Sequence, residues 1–249
     1  MNIFYTPNIV ESKEFASGVV LGEEESRHCV KVLRLQVGDT VHLADGKGGL
    51  FAARITEADQ RRCVLKVTSV QQEFGKRSYR LHVAIAPTKN TDRFEWFLEK
   101  ATEAGIDEIT PLICVRSERR VLRTDRLFKR ITAAMKQSLQ AYHPILNEPQ
   151  DFSSLMERFP PTDEAAGSLP PLLKCIAHCG EGPRQSLKEL VRPGTETLVL
   201  IGPEGDFTPS EIDEAGQNGF VPLDLGERRL RTETAGLAVC FEMAFLNRG

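Results

Sequence analysis

Apolar positions recur every second residue through "TVHLAD", "LFAARITEA" and "RCVLKVTSV", and the Gly-rich "DGKGG" lies between the first two. Period-two alternation marks strands with one buried face, and the glycines predict a hairpin turn. One helix joins these strands, "EEESRHCVKVLR", with three acids in its first turn and basic residues toward its end, the polarity that suits a helix dipole. "QVGD" makes the turn out of it. The first 70 or so residues thus read as a small β-rich barrel carrying one helix. The polar, Gly-containing "QQEFGKRS", residues 71–78, is the expected linker.

Beyond the linker the pattern becomes strand and helix in alternation. "RLHVAIAP" predicts a strand, and "DRFEWFLEKATEAG" places Phe94, Phe97, Leu98 and Ala101 at helical spacing before Gly105, a C-cap. "EITPLICV" follows as a strand, and "TDRLFKRITAAMKQSLQAY" as a helix capped by Thr124. After a loop rich in Pro and acids, "PLLKCIAH", "RQSLKELV", "TETLVLIG", "PSEIDEAGQNG" and "FVPLDLG" continue the alternation, and a strongly apolar helix near "ETAGLAVCFEMAFLN" ends it. This order predicts an α/β fold with a mainly parallel sheet covered by helices.

The stretch "LVLIGPEGDFTPSE", residues 198–211, concentrates several signals. Leu198 to Ile201 form the continuous apolar run of a strand buried on both faces. Gly202 and Gly205 permit close backbone approach. Thr208, Pro209 and Glu211 follow the helix-start pattern of capping hydroxyl, proline at the first position and a carboxylate reaching back. Such loops at strand C-termini are where α/β proteins bind ligands. The spacing matches neither a P-loop nor the G-x-G-x-x-G dinucleotide fingerprint.

Composition narrows the setting. The 249 residues are 41% hydrophobic and 27% charged, ordinary for a globular protein. No apolar run approaches the roughly 20 residues that span a bilayer, and "MNIFYTPNIV" lacks a basic start and apolar signal core, so a cytoplasmic protein without a membrane partner is expected. Six cysteines without regular spacing fit reduced, buried thiols. Cys175, His178 and Cys179 in "CIAHC" lack further ligands nearby and read as a strand end with no metal. His28, His42, His82 and His143 are scattered, and none stands out as a base.

The net charge of -3 is unevenly spread. Residues 76–136 carry 14 basic and 8 acidic groups, while residues 137–249 carry 9 and 17. Within the basic third, "RSERRVLRTDRLFKR" supplies seven Lys or Arg from Arg116 to Arg130. Clustered arginines can clamp phosphates, which makes this run a nucleic-acid candidate beside the plainer reading of a solvated face.

A second strand-end glycine followed by a helix occurs in "LGERRLRTETAGLA", residues 225–238, with Arg228, Arg229, Arg231, Thr232 and Thr234. Together with "IGPEG" and "EKATEAGIDEITPL", this resembles the SPOUT superfamily of S-adenosylmethionine-dependent RNA methyltransferases. More narrowly it resembles the RsmE family, which methylates N3 of a uridine in 16S ribosomal RNA of the small subunit. "RHCVKVLRLQVGD" resembles that family's N-terminal PUA-like RNA-binding domain. The resemblance implies residues 1–72 as the PUA-like β-barrel, residues 73–249 as the SPOUT domain with a C-terminal trefoil knot, and a homodimer. It implies that Leu200, Ile201, Gly202, Pro203, Glu204 and Gly205, with Leu225, Gly226, Leu230, Arg231 and Thr232, hold S-adenosylmethionine. Two positions depart from the pattern: Asp206 stands where many members have a second glycine, and Glu227 where a small or Pro residue is common.

Uracil N3 becomes a nucleophile only on losing its proton. A guanidinium near O2 or O4 would stabilise the resulting anion, and Arg231 is the first candidate. Glu204 or Glu233 could accept the proton, with loop-ordering and helix-capping as their plainer roles. Arg27, Lys31 and Arg34 of the small domain and Arg119, Arg120 and Arg123 of the catalytic domain are the expected phosphate contacts. Lys136 and Gln137 match a family segment near the active site, with a helix-surface role as the alternative. A methyltransferase with another RNA or atom as target, or an RNA-binding assembly factor without activity, are the rival readings.

Overall fold

The computed structural model describes residues 1–9, 18–161, 172–192 and 194–248. Most of the expected Pro- and acid-rich loop, residues 162–171, lies outside them. The chain divides into two compact units, one of Met1–Lys76 with Thr132–His143, the other of Arg77–Ile131 with Pro144–Gly249.

The first unit is built on a five-stranded sheet of β1 (Ile3–Tyr5), β2 (Val19–Val20), β3 (Thr40–Ala44), β4 (Leu50–Glu57) and β5 (Val64–Gln71), in the order β1-β3-β4-β5-β2. The predicted hairpin joins β3 to β4. Asp45 Oδ1 accepts from the amides of Lys47 and Gly49 at 2.7 and 2.8 Å, while Gly46 and Gly48 take positive φ. Phe4, Val41, Leu43, Phe51, Ile55 and Leu65 form its core. The expected helix is shorter than its polarity suggested. α1 covers Glu23–Arg27 and widens into a π-helical turn over His28–Val32, with Ser26 and Cys29 buried. Strand β1 was not anticipated, because three residues are too few to show a period.

The second unit carries β6 (Arg80–Ile85), β7 (Glu108–Ile113), β8 (Ile145–Leu146), β9 (Gln150–Asp151), β10 (Leu173–Ala177), β11 (Glu196–Ile201) and β12 (Val221–Pro222). Their order is β12-β10-β11-β6-β7-β8, with β9 paired to β7, and every pairing is parallel, as the alternation predicted. The apolar run of β11 is explained by burial on both faces. Val199 and Ile201 pack with Phe94, Phe97 and Leu98 of α2 (Thr91–Ala104) and Val239 and Met243 of α7 (Thr232–Leu246). Leu198 and Leu200 face the opposite layer, with Leu155 of α4 (Phe152–Arg158) and Ala215 of α6 (Pro209–Gln217). Each such side chain contributes about 1.5–3 kcal/mol by leaving water.

Several caps appear as expected. Gly105 ends α2 in the left-handed conformation, and Thr208 and Glu211 form a complete capping box with Pro209 at the start of α6. Thr124 is a correction: α3 (Thr124–Gln137) already includes it, and the carbonyl of Arg123 accepts the first helical bond from Leu127. The helix also stops well before Tyr142, where Leu139 takes a φ of 58° and turns the chain. "RQSLKELV" yields one turn only, α5 (Leu187–Leu190). After β12 at the sheet edge the chain returns to β11, where α7 begins against Gly202. No helix among the described residues is long and apolar enough to cross a membrane.

Candidate active site

The C-terminal ends of adjacent parallel strands β10 and β11 open onto a cavity of about 530 Å³. That volume falls within the range of small-molecule sites. Its wall is made by Ala177, His178 and Cys179 at the end of β10, by Ile201, Gly202, Pro203, Glu204 and Asp206 at the end of β11, and by Leu223 and residues 225–232 leading from β12 into α7, closed by Arg184 and Ala235. Thr232 ties two of these segments together by donating its hydroxyl to the Gly202 carbonyl at 3.0 Å. At Gly202 a Cβ would meet the Phe207 ring at 3.0 Å, so the close approach read from the glycine is real.

Most of the expected cofactor residues meet at this wall. Ile201, Gly202, Pro203, Glu204, Leu225, Gly226, Leu230, Arg231 and Thr232 all line it. Leu200 faces the layer of α4 and α6 instead, because alternation along β11 turns it away, and Gly205 is not among the lining residues.

The three expected catalytic residues are placed differently. Arg231 is exposed on the wall, and its guanidinium has no protein partner among the described residues. Glu204 lines the cavity while its Oε1 accepts from the Lys89 amide at 2.9 Å, which anchors the loop. Glu233 is buried in the first turn of α7, outside the cavity wall. Its Oε1 lies 3.8 Å from Arg93 Nε, and its Oε2 is buried without a partner.

Asp206 and Glu227, the two departures from the pattern, both line the cavity. Asp206 adopts the left-handed conformation with φ 63°, where glycine is at ease. Its carboxylate offsets that strain by accepting from the Cys179 amide at 2.9 Å and from the Phe207 amide at 2.8 Å. The side chain that replaces glycine thereby links the β10 and β11 loops.

His178, Cys179 and Arg184 were not singled out from sequence as site residues. Applying the strand-end rule to β10 as well as β11 would have found the first two. His178 Nδ1 accepts from the Gly180 amide at 3.0 Å, and burial, followed by the Arg184 charge, pushes its pKa down. The ring is therefore neutral, with its proton on Nε2, which is buried without a partner, as is Arg184 Nε. Among the described residues no group of three or more His, Cys, Asp or Glu could hold a metal.

The expected phosphate contacts fall in two settings. In the first unit Arg27 at the end of α1, Lys31 on the π-helical turn and Arg34 just beyond it are exposed. In the second unit Arg119 donates twice to the Lys89 carbonyl, at 3.2 and 2.8 Å, and Arg120 to the carbonyls of Cys114 and Val115, each at 3.2 Å. Arg123 is exposed and reaches Asp125 at 3.4 Å. Lys136 pairs with Glu25 at 2.6 Å, a structural role within the first unit.

Residues 76–243 match the RNA methyltransferase domain family, and residues 21–68 match the RNA methyltransferase PUA domain. The chain belongs to the RNA methyltransferase family. Among curated relatives, ribosomal RNA small subunit methyltransferase E of Synechocystis is 29% identical over 223 residues, 87% of this chain and 69% of the relative. A probable rRNA-methyltransferase from Porphyromonas gingivalis has a solved structure with a TM-score of 0.86 and 36% identity, covering 99% of this chain and 98% of the other. Ribosomal RNA small subunit methyltransferase E from Neisseria gonorrhoeae, solved bound to S-adenosyl methionine, gives 0.82 at 26% identity, covering 99% and 98%. The resemblance to the RsmE family is borne out by these matches, and with it a PUA domain ahead of an RNA methyltransferase domain.

Proposed function

We propose that this protein methylates N3 of a uridine in 16S rRNA of the small ribosomal subunit, in the cytoplasm, with S-adenosylmethionine as donor. The observation that carries this reading is the cavity between the two glycine loops, with unpartnered Arg231 on its wall. A bent cofactor fits the residues present: apolar walls from Ile201, Leu225 and Leu230, wall positions without a side chain at Gly202 and Gly226, and unfilled polar atoms on His178 and Arg184. The Neisseria gonorrhoeae relative binds the same cofactor.

When bound, S-adenosylmethionine supplies an electrophilic methyl group. The protein's part is to present the uracil as an anion held in line. The Arg231 guanidinium stabilises negative charge on O2 or O4, as fixed donors do in oxyanion sites. Glu204, on the wall with Oε2 outside the Lys89 contact, is better situated than Glu233 to take the N3 proton. RNA phosphates are contacted by Arg27, Lys31 and Arg34 in the PUA-like domain, residues 1–72, and by the free donors of Arg119, Arg120 and Arg123 in the catalytic domain, residues 73–249. A homodimer is part of the proposal, supported by Phe241 and Phe245, stacked and exposed on α7.

The test is to incubate the protein and labelled S-adenosylmethionine with 30S subunits lacking modification, digest the RNA, and identify the methylated nucleoside by mass spectrometry. Appearance of 3-methyluridine supports cofactor, substrate and atom together. Cofactor binding without transfer would redirect the search to another RNA, and failure to bind the cofactor would favour a non-catalytic assembly factor.

A further inference from the structure

The basic run from Arg116 onward was read as an RNA contact, yet its first arginine points into the protein's own backbone. Arg116 Nη1 donates to the carbonyls of Gly205 at 2.8 Å and Phe207 at 3.2 Å. Its aliphatic stem lies along the same loop, 3.5 Å from where a Cβ on Gly205 would sit. On the other side of the loop, Glu204 Oε1 accepts from the Lys89 amide, whose carbonyl in turn accepts from Arg119. The arginine segment is itself braced. Cys114 N donates to Ser117 Oγ at 2.9 Å, and Val115 N to Glu211 Oε1 at 2.9 Å, the same Glu211 that completes the capping box of α6.

We infer that Arg116 is a positioning residue that fixes the main-chain course of Pro203–Phe207 and so holds the cofactor wall in binding geometry. Pro203, Glu204 and Asp206 line the cavity and Arg116 does not, so it acts through the loop. Displacement of a site by about 1 Å is enough to cost on the order of 100-fold in rate, and a loop that joins Gly205 to a left-handed Asp206 has little stiffness of its own. A single nitrogen serves both carbonyls, so the requirement is for one charged donor at this point rather than for a forked guanidinium. The inference rests on the proposed function, because it takes S-adenosylmethionine as the occupant.

The experiment compares wild type, Arg116→Gln and Arg116→Lys in the full chain. It measures S-adenosylmethionine affinity by calorimetry, melting temperature, and the salt dependence of binding to 16S rRNA. Expected are an affinity about tenfold weaker for R116Q, a loss of no more than about threefold for R116K, melting temperatures close to wild type, and an unchanged salt slope. Equal cofactor affinity in wild type and R116Q would overturn the positioning role while leaving the proposed function intact. A shallower salt slope with unchanged cofactor affinity would make Arg116 a phosphate contact instead. Absence of cofactor binding in wild type would remove the proposed function itself.

Discussion

Two groups of arginines flank the glycine loop, and the fold uses them in opposite ways. In the run from Arg116 to Arg130, Arg116, Arg119 and Arg120 donate to main-chain carbonyls. Arg126 and Arg130 close on Glu95, which is 2% exposed, at 2.6 and 3.1 Å. In the loop from Leu225 to Arg231, the guanidinium groups of Arg228, Arg229 and Arg231 line the cavity without a protein partner among the described residues. The densest positive charge in the sequence is thus largely engaged in holding the domain together. The sparser group is the one with donors left for a ligand. Net charge locates arginines, but only their partners say whether that charge is available.

Removing a free arginine should harm chemistry and spare the fold. For Arg231→Ala we expect a fall of about 100- to 1000-fold in kcat, with cofactor affinity within about threefold of wild type. Single-turnover methylation and calorimetry measure the two, and a near-normal kcat would dissolve the contrast at its most important point.

Removing engaged arginines should do the reverse. The double variant R126A/R130A leaves Glu95 buried without its cations, a situation that costs about 3–5 kcal/mol when fully desolvated and about 2–3 kcal/mol here, because both arginines are half exposed. Urea unfolding would show it; unchanged stability would mean that this ion cluster is as expendable as a surface pair.

A buried polar cluster between β6 and β7 extends the engaged side of the comparison. His82 bonds to Thr110 at 2.8 Å, beside Glu108, which is held by Arg80 at 2.6 Å and by Asn147 at 2.8 Å. Burial pushes the His82 pKa down from 6.5 to about 4, against the pull of Glu108 and with help from Arg158 and Arg80. Below pH 6.5 the unfolded chain therefore binds a proton that the folded one refuses. Stability from this group is full above pH 6.5 and is lost as pH falls toward 4, by about 1–3 kcal/mol in all. Unfolding measured at pH 7 and pH 4.5 should show a smaller drop for His82→Gln than for wild type; equal drops would assign the acid sensitivity elsewhere.

The smallest effect separates the two groups on RNA. If Arg228 and Arg229 neutralise phosphates of a single-stranded segment, R228A/R229A should reduce the slope of log K against log salt by about 1.4. For R119A/R120A, whose donors are partly committed to carbonyls, we expect a reduction below about 0.7. Equal reductions from the two pairs would erase the distinction.

Much of the second unit was legible because its signals are local. A continuous apolar run marks a strand buried on both faces, and β11 follows it. The hydroxyl, proline and carboxylate of Thr208, Pro209 and Glu211 interact within four residues, so their capping box forms wherever the segment goes. The glycine loops at the strand ends were visible for the same reason. Short strands such as β1, β8 and β9 escaped because two or three residues carry no period. Helix α4, seven residues long, escaped too, since its stability comes from Phe152, Leu155 and Met156 packing in the core.

The sequence by itself determined the order of the longer strands and helices, the caps at Gly105 and Thr208, and the two loops at which a ligand could be held, since each depends on neighbours a few residues away. Tertiary structure decided which of the charged side chains remain available. Arg126 meets Glu95 across 31 positions, Arg116 meets the Gly205 carbonyl across 89, and Lys89 meets Glu204 across 115. It also turned Glu233 out of the cavity and gave Asp206 the Cys179 amide that offsets its strained backbone. Pairings at such distances leave no trace in local pattern, because a charge has the same chemistry in the sequence whether its partner is solvent, a ligand or the protein's own backbone.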